Sequence, residues 1–116
     1  MAELQLIVDD VVLKRFPLNK ETIFIGRSPN NDIVIDGDSS SSVHARIDLI
    51  PSELLEGFTD IFIEDLNSTN GTFVNEKQIK RKQILNFDYI RISYTTFKLI
   101  SDKTATLART SVILPE

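Results

Sequence analysis

The sequence predicts an all-β domain, a sandwich or a barrel. Three observations carry this. Apolar residues recur with a period of two along most of the chain, turn-forming residues interrupt the runs at short intervals, and no long amphipathic helical pattern occurs. The length of 116 residues fits one domain with enough interior to fold without staples.

Residues 4–8, 11–18 and 23–25 are rich in β-branched, aliphatic or aromatic residues and read as strands, the first two separated by Asp9-Asp10. Further on, Ala45, Ile47 and Leu49 alternate with His44, Arg46 and Asp48, and Ile61 and Ile63 alternate with Asp60, Phe62 and Glu64. Ile90 and Ile92 alternate with Tyr89, Arg91 and Ser93, and Phe97 and Leu99 continue the pattern. Such alternation puts one set of side chains on a buried face and the other toward water. Ser28-Pro29-Asn30-Asn31, Asp36-Gly37-Asp38, residues 67–71 and Asn75-Glu76 are turn signals. Residues 51–57 fit either a wide hairpin or one helical turn. Residues 101–116 lose the alternation. The expected division is therefore a domain over 1–100 and a C-terminal tail or linker over 101–116, where an adjacent domain of a longer chain would attach.

Composition excludes several functions. The net charge is −4 and the pI about 5.0, which opposes a nucleic-acid partner, since phosphate-backbone binding needs a broad basic face. No apolar run approaches the roughly 18 residues of a membrane span, and the N-terminus has no basic segment ahead of an apolar one. A cytoplasmic location without membrane partners is expected. With no cysteine and one histidine, a zinc site of nitrogen and sulfur ligands is disfavoured, and nothing calls for a cofactor. Gly26-Arg27-Ser28 is not part of a P-loop. Ser41 and His44 make a Ser–His pair on paper, with no nucleophile elbow or oxyanion hole signalled. The chain is not expected to be an enzyme.

Three polar clusters lie between the strands: residues 26–32 (GRSPNND), 39–44 (SSSSVH) and 67–72 (NSTNGT). Together they offer a guanidinium, hydroxyls, side-chain amides and backbone N–H groups, an inventory suited to holding a phosphate. Their order and wording, IGRSPNNDIVI, then SSVHARI, then DLNSTNGTFVN, closely resemble the forkhead-associated (FHA) domain family over about residues 3–100.

That resemblance implies a sandwich of about eleven strands that binds phosphothreonine peptides through loops at one end. It implies that Arg27 contacts the phosphate, that Ser41 and Ser42 donate to it, that Thr69 faces the phosphothreonine and that Asn70 bonds the peptide main chain. Gly26, Asn31, Asp32, His44, Gly71 and Asn75 match positions that support the site, His44 by tying its loop in place. Ser42-Val43 departs from the family, because many relatives carry basic residues there; the departure removes positive charge near the phosphate. The implied partner is a phosphothreonine-containing protein or peptide, with a Ser/Thr protein kinase upstream. A phosphate-independent scaffold, binding a folded partner or itself through the sandwich surface or an edge strand, is the alternative. Lys80-Arg81-Lys82 is a basic run that sequence alone does not place relative to the site.

Overall fold

Alternation along the chain becomes two sheets packed face to face. The computed structural model describes residues 2–36 and 41–101. Among them are eleven strands and no helix: β1 (Glu3–Val8), β2 (Val11–Pro17), β3 (Thr22–Gly26), β4 (Ile33–Val34), β5 (Ala45–Pro51), β6 (Thr59–Asp65), β7 (Thr72–Val74), β8 (Lys77–Ile79), β9 (Arg81–Ile84), β10 (Tyr89–Ile92) and β11 (Thr95–Ile100). One sheet has the order β2-β1-β11-β10-β7-β8 and the other β4-β3-β5-β6-β9. All pairings are antiparallel except β3 with β4.

The core is the inward half of each alternation. Leu4, Val74, Ile90, Ile92, Phe97 and Leu99 face it from the first sheet, and Ile23, Ile25, Ala45, Ile47, Ile61, Ile63 and Ile84 from the second. Each large side chain fully removed from water contributes about 1.5–3 kcal/mol, so β5 and β6, with the three fully buried isoleucines Ile47, Ile61 and Ile63 between them, anchor the second sheet.

Residue types at the tight turns follow their backbone. Asp9 and Asp10 between β1 and β2, and Asn75 and Glu76 between β7 and β8, have positive φ at both central positions, as two-residue hairpins require. The 51–57 segment is a wide hairpin connection. Ser52 Oγ accepts the N–H groups of Leu54 and Leu55, and Ser52 N–H donates to Phe58 O, which closes the loop without a helical turn. Ser101 is buried, and its N–H donates to Asn86 Oδ1 at 2.8 Å, so the packed body reaches at least this residue. Of the tail expected over 101–116, residues 102–116 lie outside the described residues, as do residues 37–40 of the serine-rich segment.

Candidate functional site

Strand register gathers the polar loops. Ile25 pairs with Ala45, and Ala45 with Asp65, so these three residues form one row across β3, β5 and β6. The segments that follow Gly26, precede Ala45 and follow Asp65 therefore leave the sandwich at the same end. Thr72 pairs with Ile92, which brings the Ser93-Tyr94 turn to that end as well.

Backbone bonds fasten the first two loops to each other. Arg27 N–H donates to Ser41 O at 3.0 Å and Ser28 N–H to Ser42 O at 3.1 Å. The Asn31 amide donates to both Ser28 O and Ser42 O, at 2.9 and 2.7 Å, which uses both of its protons. Gly26 has a steric reason to be glycine. A Cβ there would sit 2.3 Å from Ser42 O and 2.9 Å from Asn31 Nδ2. Asp32 works on the outer side of β3: it accepts Phe24 N–H at 2.9 Å and Lys20 Nζ at 2.6 Å. The Lys20 bond, then the Phe24 N–H, hold its carboxyl below the ordinary range.

His44 joins the second loop to the third. Its ring has no exposure. Ser41 N–H reaches Nδ1 at 3.2 Å, and a backbone N–H can only donate, so Nδ1 accepts. Nε2 then carries the proton and donates to Gly71 O at 2.8 Å. Gly71 itself has φ +87°, a conformation that favours glycine. A further tie is direct: Thr69 N–H donates to Ser41 Oγ at 3.0 Å.

Beneath the third loop sits Asp65, to which sequence reading assigned no role. Its carboxylate accepts the N–H and hydroxyl of Ser68 and the hydroxyl of Thr72, while Ser68 Oγ accepts Gly71 N–H. Burial opposes ionisation of this carboxyl, but the bonds from Ser68 and Thr72 outweigh it and hold the group below the ordinary carboxylate range. The sequence signal was local: an aspartate three residues before a serine, the spacing at which a carboxylate caps a turn.

Arg27, Ser42, Thr69 and Asn70 are exposed at this end, and Ser41 is half-buried. Arg27 differs from the other arginines among the described residues. Arg15, Arg46, Arg81 and Arg91 each lie on a carboxylate, whereas no carboxylate among the described residues is within ion-pair distance of Arg27. Asn70 lines a shallow cavity with Arg91, Ser93 and Tyr94. Asn75 is not brought to this cluster. The three residues of β7 carry it to the other end of the strand, where its side chain accepts Tyr89 N–H and donates to Asp88. It fastens the β7–β8 hairpin to the start of β10, and its bonds among the described residues go to Asp88 and Tyr89 rather than to the loops that hold Arg27 and Thr69.

Comparison with known proteins agrees with this geometry. The FHA domain family model matches residues 23–93, which take in all three loops. FHA domain-containing protein FhaB of Mycobacterium tuberculosis is 32% identical over 65 residues; the match spans 56% of this chain and 37% of FhaB. The structure of Mycobacterium tuberculosis EmbR in complex with a low-affinity phosphopeptide superposes with a TM-score of 0.72 at 31% identity, over 85% of this chain and 24% of that one. A structure solved for phosphothreonine-dependent FHA domain interactions gives a TM-score of 0.72 at 27% identity, covering 86% of this chain and 95% of that one. The chain thus spans well under half the length of FhaB and EmbR. It belongs to the FHA domain family.

Proposed function

We propose that the chain is a phosphothreonine-peptide-binding module that mediates phosphorylation-dependent protein association downstream of a Ser/Thr protein kinase, and that it carries no catalytic activity of its own. One observation supports this above others: the exposed Arg27 guanidinium, lacking a carboxylate partner among the described residues, stands on a loop bonded through its own backbone to Ser41, which in turn is bonded to Thr69. A phosphothreonine carries close to two negative charges and three acceptor oxygens. Arg27 supplies the opposing charge in a planar fork matched to phosphate. Ser41 Oγ spends an acceptor position on Thr69 N–H, which leaves its hydroxyl proton to donate to a phosphate oxygen, with the Ser42 and Thr69 hydroxyls beside it. Asn70 holds the peptide main chain. In this reading the module is residues 1–100 with Ser101 closing its packed body, a tail or linker follows, and the setting is cytoplasmic.

The test is a titration with phosphothreonine peptides beside their unphosphorylated twins, repeated with Arg27→Ala. Hydrogen bonds to charged groups contribute about 1.5–3 kcal/mol each, so the variant should lose more than about tenfold in affinity. Equal binding of phosphorylated and plain peptides would overturn the proposal. The scaffold reading rests on a different surface: β2 is an edge strand whose Val11 and Leu13 are 55% and 60% exposed. Binding that ignores phosphate and is lost on Leu13→Lys would favour it.

A further inference from the structure

The basic run left unplaced by the sequence lies against the site, and only one of its three residues has a free charge to offer there. Arg81 is committed elsewhere. Its guanidinium bonds Asp48 and Glu64 at 2.9 and 3.0 Å and stacks over the Phe62 ring at 4.8 Å. Lys82 lies further along β9, opposite Ile63. Lys80 is in the link from β8 to β9, and its carbonyl accepts Asp65 N–H at 2.7 Å, which pins its backbone to the row where the third loop starts. Its exposed ammonium donates to Asn67 Oδ1 at 3.1 Å. That partner is neutral, and no carboxylate among the described residues lies within ion-pair distance of Lys80.

We propose that Lys80, presented by Asn67, is an auxiliary anion subsite that selects an acidic group beside the phosphothreonine. The inference rests on the phosphopeptide reading and deepens it. Asn67 holds a left-handed backbone at φ +56° within the loop that carries Thr69 and Asn70, and the Asp65 carboxylate fixes that loop through Ser68 and Thr72. The ammonium is thereby held at a set position relative to Thr69. Asn70 stands toward the Ser93-Tyr94 turn, whereas Asn67 stands toward the β8–β9 link. A peptide lying across the loop meets Lys80 on one flank only. The strand order β3-β5-β6-β9 puts Arg27 and Lys80 on opposite sides of the Ser41–Thr69 contact, so Lys80 addresses a neighbouring group of the peptide and leaves the phosphothreonine phosphate to Arg27. The shared chemistry is an anion, whether an Asp or Glu carboxylate or a second phosphate.

The experiment titrates the full 116-residue chain and its Lys80→Gln variant. The probes are phosphothreonine peptides whose flanking positions are in turn neutral, aspartate or phosphoserine. The expected result is a gain of about two- to fivefold for aspartate on one flank only, the range of an exposed ion pair. The gain fades as salt rises. Lys80→Gln should abolish it while binding the neutral-flanked peptide within twofold of wild type. A gain with phosphoserine alone would assign the subsite to a second phosphate; a gain with both would assign it to acidic side chains generally. Phosphate-dependent binding with no flank preference, or a preference that survives Lys80→Gln, overturns the subsite and leaves the reader role standing. Loss of phosphate dependence in every peptide overturns the reader role and the subsite together.

Discussion

His44 touches no ligand in the proposed arrangement, yet affinity should depend on it. The ring is fully buried and is the middle of a chain from Ser41 N–H through Nδ1 and Nε2 to Gly71 O, with bonds of 3.2 and 2.8 Å. His44→Ala would remove two bonds worth a net of about 0.5–1.5 kcal/mol each and open a cavity, and large-to-small core changes reach about 2–5 kcal/mol. That is too large a share of a domain stability of about 5–15 kcal/mol to give a clean reading. Two amide replacements divide the ring's work. His44→Asn places its Oδ1 near the position of Nδ1 and keeps the acceptor for Ser41. His44→Gln reaches toward Nε2 and keeps the donor to Gly71. Each loses one bond and should cost about 1–3 kcal/mol, since the abandoned backbone group stays buried. Urea midpoints at unchanged m-value measure that cost. Phosphopeptide titration, run where both variants are fully folded, measures the effect on the site. In the proposed arrangement Ser41 carries the hydroxyl aimed at the phosphate, so His44→Asn should bind more tightly than His44→Gln at similar stability. Wild-type affinity in both variants, alongside the expected loss of stability, would refute the idea that the ring positions the loops.

Two more predictions follow from the same contacts. Gly26→Ala puts a methyl 2.3 Å from Ser42 O, a backbone atom that must move; overpacking of this kind costs about 1–3 kcal/mol, and calorimetric melting together with peptide titration should show lower stability and weakened binding in the same variant. Asp65 has a folded-state pKa below its unfolded one, with burial opposing and the Ser68 and Thr72 bonds enforcing ionisation. Its contribution is therefore complete above the unfolded value of about 4 and is lost as pH falls through the lower folded value. The stability deficit of Asp65→Asn, followed by urea midpoints against pH, should be level from about pH 5 to 8 and shrink below about pH 4; a deficit that stays constant into acid would show that the charge is not what holds the loop.

What the sequence made legible was facing, and what it left hidden was neighbourhood. Alternation at Ala45 and Ile47, at Ile61 and Ile63, and at Ile90 and Ile92 marked inward residues that are indeed fully buried. Period-two patterns need length, and β7 and β8 have three residues each, so neither stands out from its hairpin. The Ser93-Tyr94 turn has no Gly, Pro, Asn or Asp to announce it. Ser93 nevertheless adopts φ +58°, and its carbonyl accepts a bond from the Arg91 guanidinium.

The same distinction explains the site. Arg27, Ser41 and Thr69 stand in motifs that name them, and strand register brings their loops together. Asn75 is only five positions from Asn70, yet one short strand at about 3.3 Å per residue carries it away to a different turn. Lys80 is eleven positions from Thr69, yet it returns beside the loop because β7 and β8 double back and the β8–β9 link crosses to the end of β6. Distance along the chain therefore misleads in both directions. Charge run and motif become one surface only once Asp65 N–H is seen to bond Lys80 O. Under the proposed subsite, the cation that sets specificity is the one whose sequence context looked least specific.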